Sequence, residues 1–200
     1  MWNRSSLCWI ACLSLIAGMF FPLRAFAARD GVNPSKGMTF GEFLATGSSE
    51  NIAAVFSRLD SVELTLPVKS RISQIDRPIL LVVYGSMSCP DCTIAVPILE
   101  SMTRFNPFIE ALYFERDLEA REMLFERTGL NRIPTIFVAD PDGTLHAGAY
   151  IEQPRIVYDL LESSSSEEEK RAHIEAFRAG TYDAEVQDDL AQLLVAAIKR

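Results

Sequence analysis

Residues 79–92 read Ile79-Leu80-Leu81-Val82-Val83-Tyr84-Gly85-Ser86-Met87-Ser88-Cys89-Pro90-Asp91-Cys92. Ile79 to Tyr84 is an unbroken run of aliphatic and aromatic residues that closes on Gly85. Its length and β-branched content suit a strand buried on both faces of a sheet. A helical pattern follows from Thr93 to about Phe105 and stops at Asn106-Pro107. Two cysteines therefore fall where a buried strand ends and a helix begins. A helix start offers unpaired N–H groups and partial positive charge.

Working outward, Ala111 to Glu115 reads as a second strand, and Leu118 to Thr128 as a helix that stops at Gly129. Leu118, Leu124 and Phe125 are among that helix's apolar positions. Thr135 to Ala139 is a third strand. Asp140-Pro141-Asp142-Gly143 is a strong turn signal, with Thr144 to Tyr150 as the returning strand. Gln153 to Leu161 reads as a helix. Upstream, Ser49 can cap a helix containing Ile52, Val55, Phe56 and Leu59. Residues 62–77 fit either an alternating strand (Val62, Leu64, Leu66) or a short helix after Pro67. Residues 28–38 look like a flexible lead. Ser163 to Ser166 breaks the pattern, Glu167-Glu168-Glu169 suits the first turn of a further helix, and residues 183–198 form a last amphipathic helix. Strands alternating with helices and closing in a hairpin imply an α/β fold: a central mixed sheet flanked by helices, with extra N- and C-terminal helices. Phe105, Phe108, Phe114, Phe125 and Phe137 are expected in the core, and His146 on an exposed strand.

The first 27 residues carry the anatomy of a secretory signal peptide: Arg4, an apolar run from Leu7 to Phe21, and the small-x-small site Ala25-Phe26-Ala27. Cleavage is expected after Ala27, leaving a periplasmic or secreted protein; an uncleaved N-terminal anchor is the alternative. Cleavage takes away two arginines and no acids, so the net charge goes from −8 to −10. Such an acidic chain has no electrostatic footprint for nucleic acid. The expected division is 1–27 signal peptide, 28–77 lead and helical extension, 78–162 core, and 163–200 C-terminal helical extension.

Export also sorts the cysteines. Cys8 and Cys12 leave with the leader, and Trp9-Ile10-Ala11 matches a lipobox poorly. Cys89 and Cys92 remain. A disulfide between them closes almost no loop and stabilises little, so the spacing points to chemistry. Residues three apart on a helix lie about 5–6 Å apart at Cβ, so the Cys89–Cys92 disulfide can open and close with little backbone movement. Cys89, N-terminal and more exposed, is the candidate nucleophile, and Cys92 the resolving thiol. Pro90 suits the first helical position. Asp91 favours the helix dipole, but its charge opposes thiolate formation and is expected to make the pair more reducing. Half a zinc site is the competing reading, yet no second Cys or His pair accompanies it, and His146 and His173 are far apart; no metal and no cofactor are expected. A purely structural disulfide is the other.

Cys89-Pro90-Asp91-Cys92 after an aliphatic strand, Pro97 five residues on, Ile133-Pro134-Thr135 and the 140–148 hairpin together resemble the thioredoxin-like superfamily over residues 78–162. The Cys-Pro-Asp-Cys form is similar to a branch of exported bacterial members. The resemblance implies a thioredoxin-like fold, with Pro134 as a cis-proline facing the dithiol and the backbone at Ile133 pairing with substrate. It also marks departures. Ser88 stands where thioredoxin proper has tryptophan, Pro-Asp replaces Gly-Pro between the cysteines, and Val83 and Tyr113 align with a buried aspartate and a lysine. The expectation is an extracytoplasmic thiol–disulfide oxidoreductase, a monomer acting on protein thiols and disulfides and reset by a membrane or periplasmic redox partner. A disulfide reductase comes first; a non-catalytic binding module and a disulfide-forming oxidase are the alternatives.

Overall fold

The computed structural model describes residues 31–199, so the leader, the Ala27 cleavage site, Cys8 and Cys12 lie outside the described residues. The sheet has the order β2-β1-β3-β4, with β1 (Ile79–Gly85) between β2 (Ile109–Glu115) and β3 (Thr135–Ala139). β1 runs parallel to β2 and antiparallel to β3, and β3 pairs antiparallel with β4 (Tyr150–Ile151). This is the mixed sheet that the alternation of strands and helices implied.

Every residue of β1 is buried, because both faces of the sheet are covered. Ile79, Leu81 and Val83 enter the larger apolar cluster, while Leu80, Val82 and Tyr84 enter a smaller one on the other face. The smaller cluster is closed by α5 (Leu118–Thr128) through Ala120 and Leu124. The larger is closed by α4 (Cys92–Phe105), through residues such as Ile98 and Leu99, together with both terminal extensions.

Those extensions meet each other. N-terminal to β1 lie α1 (Phe40–Ala45), α2 (Ser49–Ser61) and α3 (Leu66–Ile72); C-terminal to β4 lie α6 (Arg155–Ser163), α7 (Glu167–Arg178) and α8 (Asp183–Ile198). α3 lies against α8. The buried amide of Gln187 on α8 accepts from the Thr65 N–H at 2.9 Å and donates to the Glu63 carbonyl at 3.1 Å. Arg58 pairs with Asp183, and Arg71 with Asp188. Val186, Leu190 and Leu194 of α8 share the larger cluster with Phe43 of α1 and Val55 of α2. Among the described residues, no helix is long and apolar enough to cross a membrane.

Several sequence expectations need correction. Residues 31–38 are no loose lead: Val32 N–H donates to Gly143 O at 2.9 Å, and Met38 exchanges both backbone bonds with Tyr113. Residues 62–77 take the helical alternative, as α3, capped by Thr65 with proline in its first turn. Ser48, not Ser49, caps α2. The short helix α1, closed by a Thr39–Glu42 capping box, was not foreseen. The turn at Asp140–Gly143 forms as read, but the returning strand does not. Thr144 and Leu145 make only isolated bridges, and Gly148 adopts φ 92°, a left-handed conformation that interrupts extended pairing until Tyr150. Of the phenylalanines expected inside, Phe137 is buried and Phe114 partly so, whereas Phe105, Phe108 and Phe125 are exposed, as is Leu118.

If α8 belongs to one cooperative unit with the sheet, truncating its fully buried Leu190 must weaken the whole protein. Leu190→Ala is expected to cost about 2–4 kcal/mol in urea unfolding. The far-UV dichroism and tyrosine fluorescence transitions should move together; separate transitions would show that the C-terminal helices unfold independently.

Candidate functional site

The site is assembled by the sheet. β1 and β3 are antiparallel in a register that sets Tyr84 opposite Thr135, so the end of β1 lies beside the start of β3. The dithiol loop leaves the first and the Ile133–Pro134 loop enters the second. The Ile133–Pro134 peptide is cis, and Cys89 Sγ lies 3.5 Å from the Ile133 carbonyl, to which its S–H donates. The sequence placed these residues forty-odd positions apart; the register alone brings them into contact.

Between β1 and α4 the chain turns tightly, with Cys89 N–H donating to Ser86 O at 3.0 Å. The Cys89 carbonyl then accepts from Cys92 N–H at 3.1 Å and Thr93 N–H at 3.3 Å. Pro90, exposed, does not take the first helical position expected of it: α4 begins at Cys92 with Asp91 as its N-cap, and Pro90 lies in the turn just before, where its missing N–H leaves no bond unmade. Cys92 is buried, and the approach is close: a Cβ added to Gly85 would stand 3.3 Å from Cys92 Sγ and 3.4 Å from the Phe43 ring. Glycine lets the resolving thiol lie against the strand end. Both cysteines are free thiols here.

Their acidities diverge. The Cys89 thiol is lowered from 9.0 to about 7, first because Cys92 donates its S–H to the Cys89 sulfur, and further by the N–H groups of Cys92 and Asp91; partial burial opposes this. Cys92 is pushed well above its ordinary value by that same hydrogen bond, by burial and by the charge on Cys89. One sulfur is thus an accessible thiolate near neutral pH, and its neighbour keeps the proton.

Asp91 does not sit as the sequence suggested. Its side chain is 5% exposed and makes no cap bond to α4. Instead Oδ1 accepts from Arg178 Nε at 2.6 Å. Its charge does oppose the Cys89 thiolate, though less strongly than the hydrogen bonds and burial act on that thiol, and the Asp91 N–H acts the other way. His146 also differs from expectation: its ring is partly buried, with Nε2 3.2 Å from Asp140 Oδ1. Val83 and Tyr113 are both buried, and the Tyr113 hydroxyl donates to Glu100 Oε1 at 2.7 Å. Burial raises the pKa values of Tyr113 and Glu100 alike. Among the described residues, no group of three His, Cys, Asp or Glu side chains is arranged as metal ligands would be.

A family model described as Thioredoxin matches residues 37–171. The chain belongs to the thioredoxin family. Two solved structures share the fold of this thioredoxin-family protein. A protein of unknown function from Pseudomonas aeruginosa is 27% identical with a TM-score of 0.68, covering 82% of this chain and 95% of that one. An HIV epitope-scaffold is 26% identical with a TM-score of 0.67, covering 80% of this chain and 94% of that one. No curated protein matches.

Sequence reading placed Cys89, Pro90, Asp91, Cys92, Ile133 and Pro134, and the structure brings all six to one end of the sheet. It missed Arg178, Glu152 and Arg132. Arg132 and Glu152 form an ion pair that bridges the chain before Pro134 and after β4, and Glu152 N–H donates to Pro134 O at 2.6 Å. Neither these nor Arg178 belong to a local pattern, so no motif could have found them.

The S–H donated by Cys92 is the largest influence on Cys89 and can be removed alone. In Cys92→Ala the alkylation of Cys89 by iodoacetamide, followed against pH, should move its midpoint upward from about 7 by roughly one unit. An unchanged midpoint would show that the helix start, not the partner thiol, sets the acidity.

Proposed function

We propose that this protein is an extracytoplasmic protein-disulfide reductase that works through a Cys89/Cys92 dithiol. The observation that carries this reading is the half-exposed Cys89 sulfur, acid enough to be a thiolate near pH 7, lying against the backbone of the cis Ile133–Pro134 loop. Cys89 S⁻ attacks a substrate disulfide, forming a mixed disulfide and releasing one substrate thiolate. Cys92 then attacks Cys89, frees the second substrate thiol, and leaves the Cys89–Cys92 disulfide. Two electrons have passed to the substrate, and a membrane or periplasmic dithiol donor must return them. The Ile133 backbone and Pro134 hold the substrate segment beside Cys89, and Pro90 keeps the loop between the thiols rigid. The reaction needs no bound cofactor.

The acidity of Cys89 argues for the reducing direction. A strongly oxidising dithiol protein has a nucleophile pKa of about 3.5, because a stabilised thiolate makes the reduced form too favourable; thioredoxin's is about 7. Cys89 falls with the second, at about 7. The leader read in residues 1–27 supports an extracytoplasmic location.

Insulin reduction with dithiothreitol as donor tests the activity: the wild-type protein should precipitate insulin B chain, and Cys89→Ser should fall to the rate of dithiothreitol alone. Equal rates for the two would defeat a catalytic role and leave a binding module. Equilibration with glutathione should place the potential near about −270 mV; a value near about −120 mV would assign the protein to disulfide formation instead.

A further inference from the structure

Asp91 sits between the two cysteines and is almost wholly buried, which is a costly place for a carboxylate unless a cation meets it. The cation comes from far along the chain: Arg178, at the last turn of α7, donates Nε to Asp91 Oδ1 at 2.6 Å. Asp91 makes no bond to the α4 N–H groups, although it stands at the N-cap position, so its side chain is spent on Arg178. We propose that Arg178 is a positioning residue of the redox site, holding Asp91 neutralised beside Cys89, so that α7 of the C-terminal extension sets the charge the nucleophile meets. This rests on Cys89 and Cys92 being a redox pair.

The charges facing the pair can be named from each packed element. Asp91 and Cys92 come from the start of α4, Glu152 and Tyr150 from β4 and the residue after it, and Arg178 from α7. Asp91, Cys89 and Glu152 all act on Arg178 and strengthen its hold on the proton. Glu152 is itself paired with Arg132, so Asp91 is the group whose balance depends on Arg178. With Arg178 removed, the Asp91 charge faces Cys89 uncompensated and disfavours the thiolate. With Asp91 removed, the guanidinium is left uncompensated and favours it. The two substitutions therefore act in opposite directions, which loss of packing alone would not produce. Arg178 is 44% exposed, so solvent screening keeps each effect moderate.

The test is the pH midpoint of Cys89 alkylation in the full chain, reduced beforehand, with folding checked by circular dichroism. Arg178→Gln should raise the midpoint by about half a unit. For a thiol of pKa about 7 that is a roughly twofold smaller thiolate fraction at pH 7. Asp91→Asn should lower it, Asp91→Asn with Arg178→Gln should return it close to wild type, and Arg178→Lys should leave it nearly unmoved. The glutathione potential should fall in Arg178→Gln and rise in Asp91→Asn. Shifts of the same sign in the two single variants, or a folded Arg178→Gln with an unmoved midpoint, would overturn the proposal. If Arg178→Gln does not fold, an unmoved or raised midpoint in Asp91→Asn overturns it alone. Alkylation needs no turnover, so a protein inactive on insulin that shows these shifts would overturn the proposed function and uphold the assignment of Arg178.

Discussion

The pairing of Tyr84 with Thr135 across β1 and β3 is the constraint on which the site depends. An antiparallel neighbour delivers the start of one strand to the end of the other. The parallel neighbour β2 ends at Glu115 beside Gly85, so it reaches the same rim with the exit of a strand and not with an entry. A shift of β3 by one residue would turn Ile136 and Val138 out of the larger cluster and Phe137 out of the smaller. Burial on both faces thus fixes the register, and the register fixes the distance between Cys89 and the Ile133 carbonyl.

What was legible in the sequence follows from this. β1 announced itself because a strand buried on both faces has no polar positions to blur it. α5 was readable to the residue because Asp117 caps it and Gly129, at φ 72°, ends it in a conformation that favours glycine. The dithiol and Pro134 were readable because their chemistry is tied to spacing. The edges were harder. Residues 31–38 attach through backbone bonds to Tyr113 and Gly143, which leave no side-chain pattern. β4 shrank to two residues because Gly148 takes the chain out of extended geometry. Phe125 looked like core because helical periodicity reports a stripe, while α5 covers its part of the sheet with Ala120, Leu124 and the partly buried Met123. Arg178 reaches Asp91 across 87 positions, a separation no local signal spans.

The apolar surroundings of the resolving thiol also reflect choices spread over the chain. Phe43 stacks on Tyr113 with ring centroids 4.7 Å apart and reaches the space beside Gly85 and Cys92. The Tyr113 hydroxyl turns away to the Glu100 carboxylate, satisfying two buried polar groups against each other. Where thioredoxin proper keeps a buried acid under its dithiol, this chain has Val83 in β1; of its own buried acids, Glu100 lies farther along α4 in a bond to a phenol, and Asp91 is held by Arg178. The wall beside Cys92 is therefore aromatic and aliphatic.

Such a wall by itself holds the proton on Cys92, since burial alone pushes a thiol up. Yet burial is not the largest influence on Cys92; its hydrogen bond to Cys89 is, and the charge on Cys89 adds to it. Both depend on Cys89 being a thiolate. In the proposed cycle, once Cys89 has bonded to a substrate sulfur its negative charge has left with the substrate thiolate, and the bond that held the Cys92 proton loses its acceptor. What then remains to oppose ionisation is burial and Asp91, against the Ser86 N–H directed at the Cys92 sulfur. The first chemical step so removes the main restraint on the second. A carboxylate beneath Cys92 is not required for the order of the two attacks, because the two thiols share one proton and only one of them can be the nucleophile at a time.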